Sequence, residues 1–238
     1  MTDRGAGLSR RELVRGAAFA AGLTFAWGPV ARAAGPTAPG PPADEVLRRL
    51  REGNERFVKG ATVSPRRTPE DFRPLAGGQR PMAVIVGCSD SRVPPEILFD
   101  QGVGDLFVVR VAGNVIGGAG AFVKGSIEYG IVELGVSLVM VLGHSECGAI
   151  KAAIKHLDDR DALPGSIGPL VNSIRPAVLK AKSRPGDQLD NAIRQNVIDN
   201  VAKLKSATPI LNSAIEQGKL KVVGGIYRLR DGRVEMIS

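Results

Sequence analysis

A thiol, a carboxylate and a guanidinium lie at alternate positions directly after one apolar segment of the sequence. Residues 82–87 are rich in β-branched side chains and end in glycine, which is typical of a buried parallel strand, and Cys88, Asp90 and Arg92 follow. In open α/β sheets, ligands bind in the crevice beyond the carboxyl ends of the strands. The spacing therefore predicts that these three side chains reach such a crevice. Taken alone, it fits equally well a buried cysteine beside a surface ion pair.

A second apolar segment supplies a histidine and another cysteine. Residues 138–143 also end in glycine, and His144 and Cys147 follow. The sequence holds two cysteines and two histidines, so three of these four residues come after predicted strands. Two thiolates and one imidazole fill three corners of a zinc tetrahedron and leave the fourth for water or substrate. The sequence thus predicts a Zn²⁺ site formed by Cys88, His144 and Cys147. Ser145 is placed to cap the following helix, whose positive end would favour the Cys147 thiolate.

Both segments resemble the signature motifs of a known enzyme family. Cys88-Ser-Asp-Ser-Arg92-Val-Pro and Gly143-His-Ser-Glu-Cys-Gly148 are similar to the two motifs of the β-class carbonic anhydrases. Residues 105–114 and 125–130 are similar to further family segments, and the resemblance extends from about residue 43 to the C-terminus. It implies an enzyme that hydrates CO2 reversibly to bicarbonate and a proton, by attack of zinc-bound hydroxide.

Asp90 and Arg92 have predicted roles beside the metal. Zinc lowers the pKa of a bound water to about 7, but thiolate ligands donate charge that works against this acidity. Another group must therefore orient the hydroxide, and Asp90 is placed to accept its hydrogen bond. Arg92 can hold Asp90 ionised through a bidentate pair. In the family, the aspartate becomes the fourth zinc ligand when that pair breaks, and the enzyme is then inactive. The resemblance thus makes Asp90 both a catalytic residue and a metal ligand.

Three further residues match substrate-binding positions of the family. Gln79 matches the position whose amide reaches the substrate across the dimer interface, and Phe107 and Tyr129 match pocket positions. On composition alone, Gln79 is a solvated loop residue and the two aromatic side chains belong to the core. His156 is conceivable as a proton shuttle, although a surface histidine is the simpler interpretation.

One family feature is missing from the sequence. Members that bicarbonate inhibits at a non-catalytic site carry a tryptophan three residues before the first cysteine, and here that residue is Ile85. The matching arginine, Arg110, is present. We therefore do not expect that regulation.

The first 33 residues are typical of an export signal. Arg10 and Arg11 precede a moderately apolar stretch, and Ala31-Arg32-Ala33 fits a cleavage site. The pattern predicts a twin-arginine signal peptide, recognised by the twin-arginine export machinery, and a periplasmic or other extracytoplasmic location. The alternative is a frayed basic N-terminus.

The rest of the chain is predicted to form one catalytic domain. Residues 34–42 are a Pro/Gly-rich linker, and residues 43–238 have a length that suits a single core. The net charge of +8 falls to +5 without residues 1–33, which hold five arginines and two acidic residues. This excess is not interleaved with aromatic residues, so nucleic-acid binding is not expected. No stretch of 18 apolar residues remains, so no membrane span is expected in the mature protein.

Strands and helices alternate along the predicted domain. Strands are predicted at 82–86, 106–111, 138–142 and 220–227, and helices at 43–59, 117–135, from 146, and at 167–182, 189–204 and 208–217. Asp231-Gly232 predicts a hairpin into residues 233–237. This order predicts an α/β fold with a mostly parallel central sheet flanked by helices and an antiparallel C-terminal edge strand.

The oligomeric state is also predicted. Residues 43–59 form an amphipathic helix by period, and in the family such a helix packs on the partner subunit. Together with Gln79, this implies a homodimer or a higher even oligomer.

Two other functions remain open from the sequence. Relatives with this site hydrolyse CS2 or COS, and the sequence does not show the access channel that would distinguish them. In a non-enzymatic exported protein, Cys88 and Cys147 would instead form a disulfide. The positions of Asp90, Arg92 and His144 would then have no explanation.

Overall fold

Five strands form one sheet in the computed structural model, which describes residues 40–117, 120–159, 161 and 163–237. The strands are β1 (Ala83–Gly87), β2 (Leu106–Arg110), β3 (Leu138–His144), β4 (Lys221–Tyr227) and β5 (Val234–Met236). Their order is β2-β1-β3-β4-β5. The first three pairings are parallel and the β4–β5 pairing is antiparallel. The predicted α/β fold, with its mostly parallel sheet and antiparallel edge strand, is confirmed.

Helices cover both faces of the sheet. They are α1 (Ala43–Val58), α2 (Pro69–Phe72), α3 (Pro95–Leu98), α4 (Gly120–Val132), α5 (Gly148–Asp159), α6 (Ile167–Ala181), α7 (Gln188–Lys205) and α8 (Ile210–Glu216). Because successive side chains of a strand point to opposite faces, β1 contributes to two cores. Val84 and Val86 pack among residues of α4 to α8, whereas Ile85 packs with residues of α1 and α3.

The register of the two central strands determines where the site forms. β1 and β3 are buried along their whole length, as expected for strands with neighbours on both sides and helices on both faces. Gly87 pairs with Leu142 of β3 and with Arg110 of β2. The residues that follow β1 therefore emerge beside the end of β3, at one edge of the sheet.

Helix α1 packs on the sheet of its own chain. Val46 and Leu50 are fully buried, and Asn54 Nδ2 donates to the backbone oxygens of Leu98 (3.0 Å) and Gly232 (2.9 Å). A Cβ added at Gly53 would lie 1.7 Å from a backbone oxygen of the segment after α3. The apolar face that the family resemblance would place on a partner subunit is thus covered within the chain.

The predicted C-terminal hairpin is present. Gly232 has φ +77° at the turn, and its N–H donates to Arg228 O at 2.9 Å. Arg228 N in turn donates to Arg233 O at 2.8 Å, which closes the pairing between β4 and β5. The left-handed backbone at the turn is the conformation that favours glycine.

Two of the differences from the sequence predictions have a clear local cause. The segment 61–81, in which no helix or strand was predicted, contains α2 and a short 3₁₀ turn at Arg73–Leu75. Thr68 and Asp71 form a capping box at the start of α2. The helix predicted from Glu146 begins at Gly148, since Glu146 has φ +58° and cannot continue a right-handed helix.

The predicted signal peptide, residues 1–33, and residues 34–39 of the linker lie outside the described residues. Within the part of the chain that is described, no helix combines the length and apolar character needed to cross a membrane.

Candidate metal centre

The structure brings the three predicted ligands together at the carboxyl edge of the sheet. Cys88 follows β1, His144 ends β3, and Cys147 precedes α5. One potential ligand atom of each residue lies within 4.8 Å of the others. All three residues are buried, so their polar atoms face one another rather than solvent.

His144 presents one ring nitrogen without a hydrogen-bond partner. Its Nδ1 lies 2.9 Å from Ser145 O, and its buried Nε2 has no partner among the described residues. A hydrogen bond from Nδ1–H to Ser145 O leaves the lone pair of Nε2 free. Metal-bound histidines typically use this arrangement, in which the second nitrogen donates to a carbonyl and fixes the tautomer.

The two cysteines are free thiols whose proton affinities diverge. A hydrogen bond from the Cys147 thiol lowers the pKa of Cys88 to about 4. The same contact, together with burial, raises the pKa of Cys147. A metal that binds both sulfurs as thiolates must displace the protons that they carry.

Backbone amides support both sulfurs. Gly113 N donates to Cys88 Sγ at 3.2 Å. The amides of Ala149 and Ile150, in the first turn of α5, act to lower the pKa of Cys147 against the larger effects that raise it. Cys147 thus occupies the capping position of α5. The amides at this helix end favour thiolate, as the sequence predicted. The capping residue, however, is Cys147 itself and not Ser145.

Ser145 anchors the C-terminal hairpin and does not cap α5. Its Oγ accepts from Leu229 N at 2.9 Å, and its own N–H donates to Tyr227 O at 2.9 Å. The capping role predicted for Ser145 is therefore wrong. The left-handed backbone at Glu146 separates Ser145 from the first turn of the helix.

Asp90 and Arg92 form a bidentate ion pair next to the ligands. Arg92 Nε lies 2.9 Å from Asp90 Oδ1, and Arg92 Nη2 lies 2.7 Å from Oδ2. The Arg92 backbone N–H adds a third donor at 3.0 Å. This contact with Arg92 holds the pKa of Asp90 well below its usual range. Asp90 Oδ2 is 3.8 Å from His144 Nε2, so an ionised carboxylate lies beside the ligand group.

Arg110 braces the loop that carries Cys88 and Asp90. From the end of β2, its Nε donates to Cys88 O at 3.0 Å and its Nη2 donates to Asp90 O at 2.5 Å. No partner of Arg110 was predicted from the sequence. Ile85, at the position of the family tryptophan, is buried on the face of β1 opposite to that of Val84 and Val86.

The predicted substrate residues do not join the metal ligands within one chain. Gln79 is exposed and precedes β1, at the opposite end from Cys88. Phe107 pairs with Val84, four residues before Cys88, which corresponds to about 13 Å along a strand. The Phe107 and Tyr129 rings lie together, with centroids 6.1 Å apart, and Tyr129 is 48% exposed. Strand polarity therefore separates these residues from the site in their own chain.

His156 also lies away from the ligand group. It is nine residues beyond Cys147 along α5, about 13 Å at the rise of an α-helix. Its Nδ1 is 2.5 Å from Asp161 Oδ1, and its side chain is 17% exposed. His156 is thus partly buried and pairs with Asp161 at the surface.

Comparison with known proteins gives consistent similarities. A family model described as carbonic anhydrase matches residues 83–234. The carbonic anhydrase of Mycolicibacterium smegmatis is 42% identical over 189 residues, covering 79% of this chain and 90% of that protein. Carbonic anhydrase 2 of Mycobacterium tuberculosis is 44% identical over 184 residues, covering 77% and 87%.

Solved structures show the same similarity. The β-carbonic anhydrase CcaA superposes with a TM-score of 0.64 at 32% sequence identity, over 81% of this chain and 95% of that one. A Coccomyxa β-carbonic anhydrase in complex with acetazolamide gives a TM-score of 0.62 at 27% identity, over 80% and 86%.

Proposed function

This chain belongs to the β-class carbonic anhydrase family, and from that premise we propose that it hydrates CO2 reversibly to bicarbonate and a proton, with zinc held by Cys88, His144 and Cys147. One observation carries the metal assignment. The buried His144 Nε2 has no hydrogen-bond partner among the described residues and lies in a group with two cysteine sulfurs. A buried polar atom of this kind is costly unless something binds it.

The donor set fits zinc. Two sulfurs and one imidazole nitrogen suit a borderline-soft cation, and three protein ligands leave one position for water or substrate. Zinc bound there supplies Lewis acidity and makes a water nucleophilic near neutral pH.

Asp90 orients the reacting water. An ionised carboxylate can only accept hydrogen bonds, so a water held beside Asp90 keeps its proton toward that side chain and its free lone pair toward CO2. Arg92 keeps Asp90 ionised and directs both of its oxygens through the bidentate contact. Arg110 fixes the backbone on which the carboxylate is carried.

A partner subunit would complete the substrate pocket. Gln79, Phe107 and Tyr129 lie away from the metal ligands of their own chain. Phe107 is on the edge strand β2, and the Tyr129 ring centroid lies 6.1 Å from that of Phe107. Tyr129 is half exposed, and no strand of the described residues pairs with the outer edge of β2. We propose a homodimer in which these three residues line the pocket of the partner.

Export by the twin-arginine route is proposed from the sequence of residues 1–33. Arg10 and Arg11 support this assignment. Replacing both with lysine should leave active, zinc-loaded enzyme in the cytoplasm. Unchanged export of that variant would reject the route.

Rates of CO2 hydration by the purified zinc-loaded protein test the substrate assignment. Stopped-flow measurements should show hydration well above the uncatalysed rate, with little turnover of CS2 or COS. Turnover of CS2 or COS that exceeds CO2 hydration would instead assign the related hydrolase activity.

A further inference from the structure

One amide hydrogen bond to Cys88 depends on a backbone segment with little intrinsic preference for its shape. Gly113 N donates to Cys88 Sγ at 3.2 Å, in the buried interior behind the ligand group. A peptide N–H directed at a thiolate stabilises its charge and orients its lone pairs. The position of Gly113 therefore bears on how Cys88 presents its sulfur to a metal.

Packing leaves room only for glycine at position 113. Glycine has no side chain through which neighbouring residues could hold its backbone in place. Gly113 has φ +69° and ψ +17°, and a Cβ there would lie 2.8 Å from Ile174 Cδ1. Glycine adopts left-handed and right-handed conformations with similar ease. On its N-terminal side the segment is held because Val111 N donates to Gly87 O at 3.1 Å. On the C-terminal side, Asn114 N donates to Val111 O at 2.8 Å, and the carbonyl of the same peptide, Gly113 O, is left for another contact.

Asn196 supplies that contact from α7. Its Nδ2 donates to Gly113 O at 2.9 Å, and the residue is 3% exposed. Asn200 Nδ2 lies 3.3 Å from Asn196 Oδ1, which leaves the amino group of Asn196 directed at Gly113. Asn200 Oδ1 also accepts from Ile116 N at 3.3 Å. Two buried amides thus connect α7 to the segment behind Cys88.

A buried amide at position 196 indicates a specific role for Asn196 and not only the filling of space in the core. An apolar side chain would occupy the interior of α7 without the cost of burying an amide. The carboxamide of Asn196 instead donates to Gly113 O, the carbonyl of the same residue whose N–H donates to Cys88 Sγ.

We propose that Asn196 is a positioning residue for the metal centre: by holding Gly113 O, it keeps Gly113 N–H on Cys88 Sγ and so tightens metal binding. The inference rests on the proposed zinc site. It adds Asn196, which is 108 positions from Cys88 in the sequence, to the groups that determine metal affinity.

Metal affinity and sulfur-to-metal charge transfer test this role. Asn196→Ala and the volume-conserving Asn196→Leu are compared with wild type by competition with a zinc chelator. The Co²⁺-substituted proteins are compared by the energy of the thiolate-to-cobalt absorption band. The matched control is Gln195→Ala, because Gln195 is buried on the same helix but contacts Arg184 and Asp199 instead.

Both Asn196 variants should bind zinc roughly 10- to 100-fold more weakly, the usual cost of removing an outer-shell partner. Their cobalt band should shift to lower energy, because a sulfur without its amide donor gives up charge more readily. Gln195→Ala should retain wild-type affinity and band position. General destabilisation does not predict a band shift.

Wild-type zinc affinity and an unshifted band in either folded Asn196 variant would overturn the proposal. An equal loss of affinity in Gln195→Ala would also overturn it, since the effect would then belong to the helix as a whole. If wild-type protein itself binds no zinc at this group, the proposed function fails, which is a separate result.

Discussion

At the scale of single residues, the proposed mechanism depends on the ion pair of Asp90 and Arg92. Arg92 directs two side-chain nitrogens and its backbone N–H at the Asp90 carboxylate. This keeps Asp90 charged and 3.8 Å from His144 Nε2 instead of closer to it. The arrangement corresponds to a carboxylate that assists the reaction from beside the ligands. If the pair broke, Asp90 would be free to act as a fourth ligand, the second role that the resemblance implied.

Asp90→Asn should retain zinc and lose most CO2 hydration. The amide has the shape of the carboxylate but can donate a hydrogen bond, so it no longer imposes one orientation on the water. We expect a drop in kcat of about 100-fold or more, measured by stopped-flow hydration alongside metal analysis. Glu146→Gln is the matched control, because that exposed carboxylate pairs with Lys151 and should be dispensable. Near-wild-type turnover of zinc-loaded Asp90→Asn would remove Asp90 from the mechanism.

At the scale of elements, one buried carboxylate links α1 to the segment after α3. Asp100, after α3, has a fully buried side chain. It accepts from Arg56 Nε of α1 at 2.6 Å, from Val63 N at 3.0 Å and from Ser64 N at 2.8 Å. Burial acts to raise the pKa of Asp100, but these donors outweigh it and the pKa is lowered. Asp100 therefore ties α1 and the following loop to the segment after α3.

Asp100→Asn should destabilise the protein by about 1–3 kcal/mol at neutral pH, since the amide keeps only one acceptor oxygen and its amino group would face N–H donors. A lowered pKa in the folded state contributes stability above the unfolded pKa of about 3.9, and this contribution is lost as the pH falls through the folded value. The difference between wild type and variant should thus narrow below about pH 4.

Urea unfolding of the metal-free proteins at several pH values measures this difference and avoids the pH dependence of zinc binding. Asp44→Asn is the control, because its pair with Lys221 is 84% exposed on the Asp44 side and should contribute little. A stability difference for Asp100→Asn that is constant down to pH 3 would contradict the ionised role of Asp100.

The sequence predicted the helices, the strands and the grouping of the three ligands better than it predicted the hydrogen bonds that hold them in place. Cys88, His144 and Cys147 could be grouped because parallel strands end at a common edge, and apolar runs ending in glycine mark those ends. The contact of Asn196 with Gly113 depends on how α7 docks on the sheet, and no local pattern encodes that. Ser145 was misassigned because a left-handed residue between it and α5 changed which residue caps the helix.

At the scale of the whole molecule, the proposed homodimer explains why residues matched to one pocket lie at two ends of β1. Gln79 precedes that strand and Cys88 follows it. A site shared between subunits would need Gln79, Phe107 and Tyr129 from one chain and the metal ligands from the other.

Mixed dimers test this sharing. Cys88→Ser removes a ligand and Gln79→Ala removes a proposed pocket residue. If the site is shared, a heterodimer of the two variants holds one complete site. Dissociating and reassociating the mixture should then raise CO2 hydration above the average of the parents.

Mixing Cys88→Ser with Cys147→Ser is the control for these dimers. All three ligands of a site come from one chain, so that mixture should stay inactive. Activity of the Gln79→Ala mixture equal to the parental average would show that the pocket is not shared in this way.

The most direct test of the central claim is titration of the metal-free enzyme with zinc while CO2 hydration is followed. Activity should rise in proportion to added zinc and stop rising at about one zinc per chain, because three converging ligands form one tetrahedral site. Cys88→Ser should show no such saturating rise. Full hydration activity without zinc, or an unchanged titration in Cys88→Ser, would contradict the assignment of Cys88, His144 and Cys147 as the catalytic metal site.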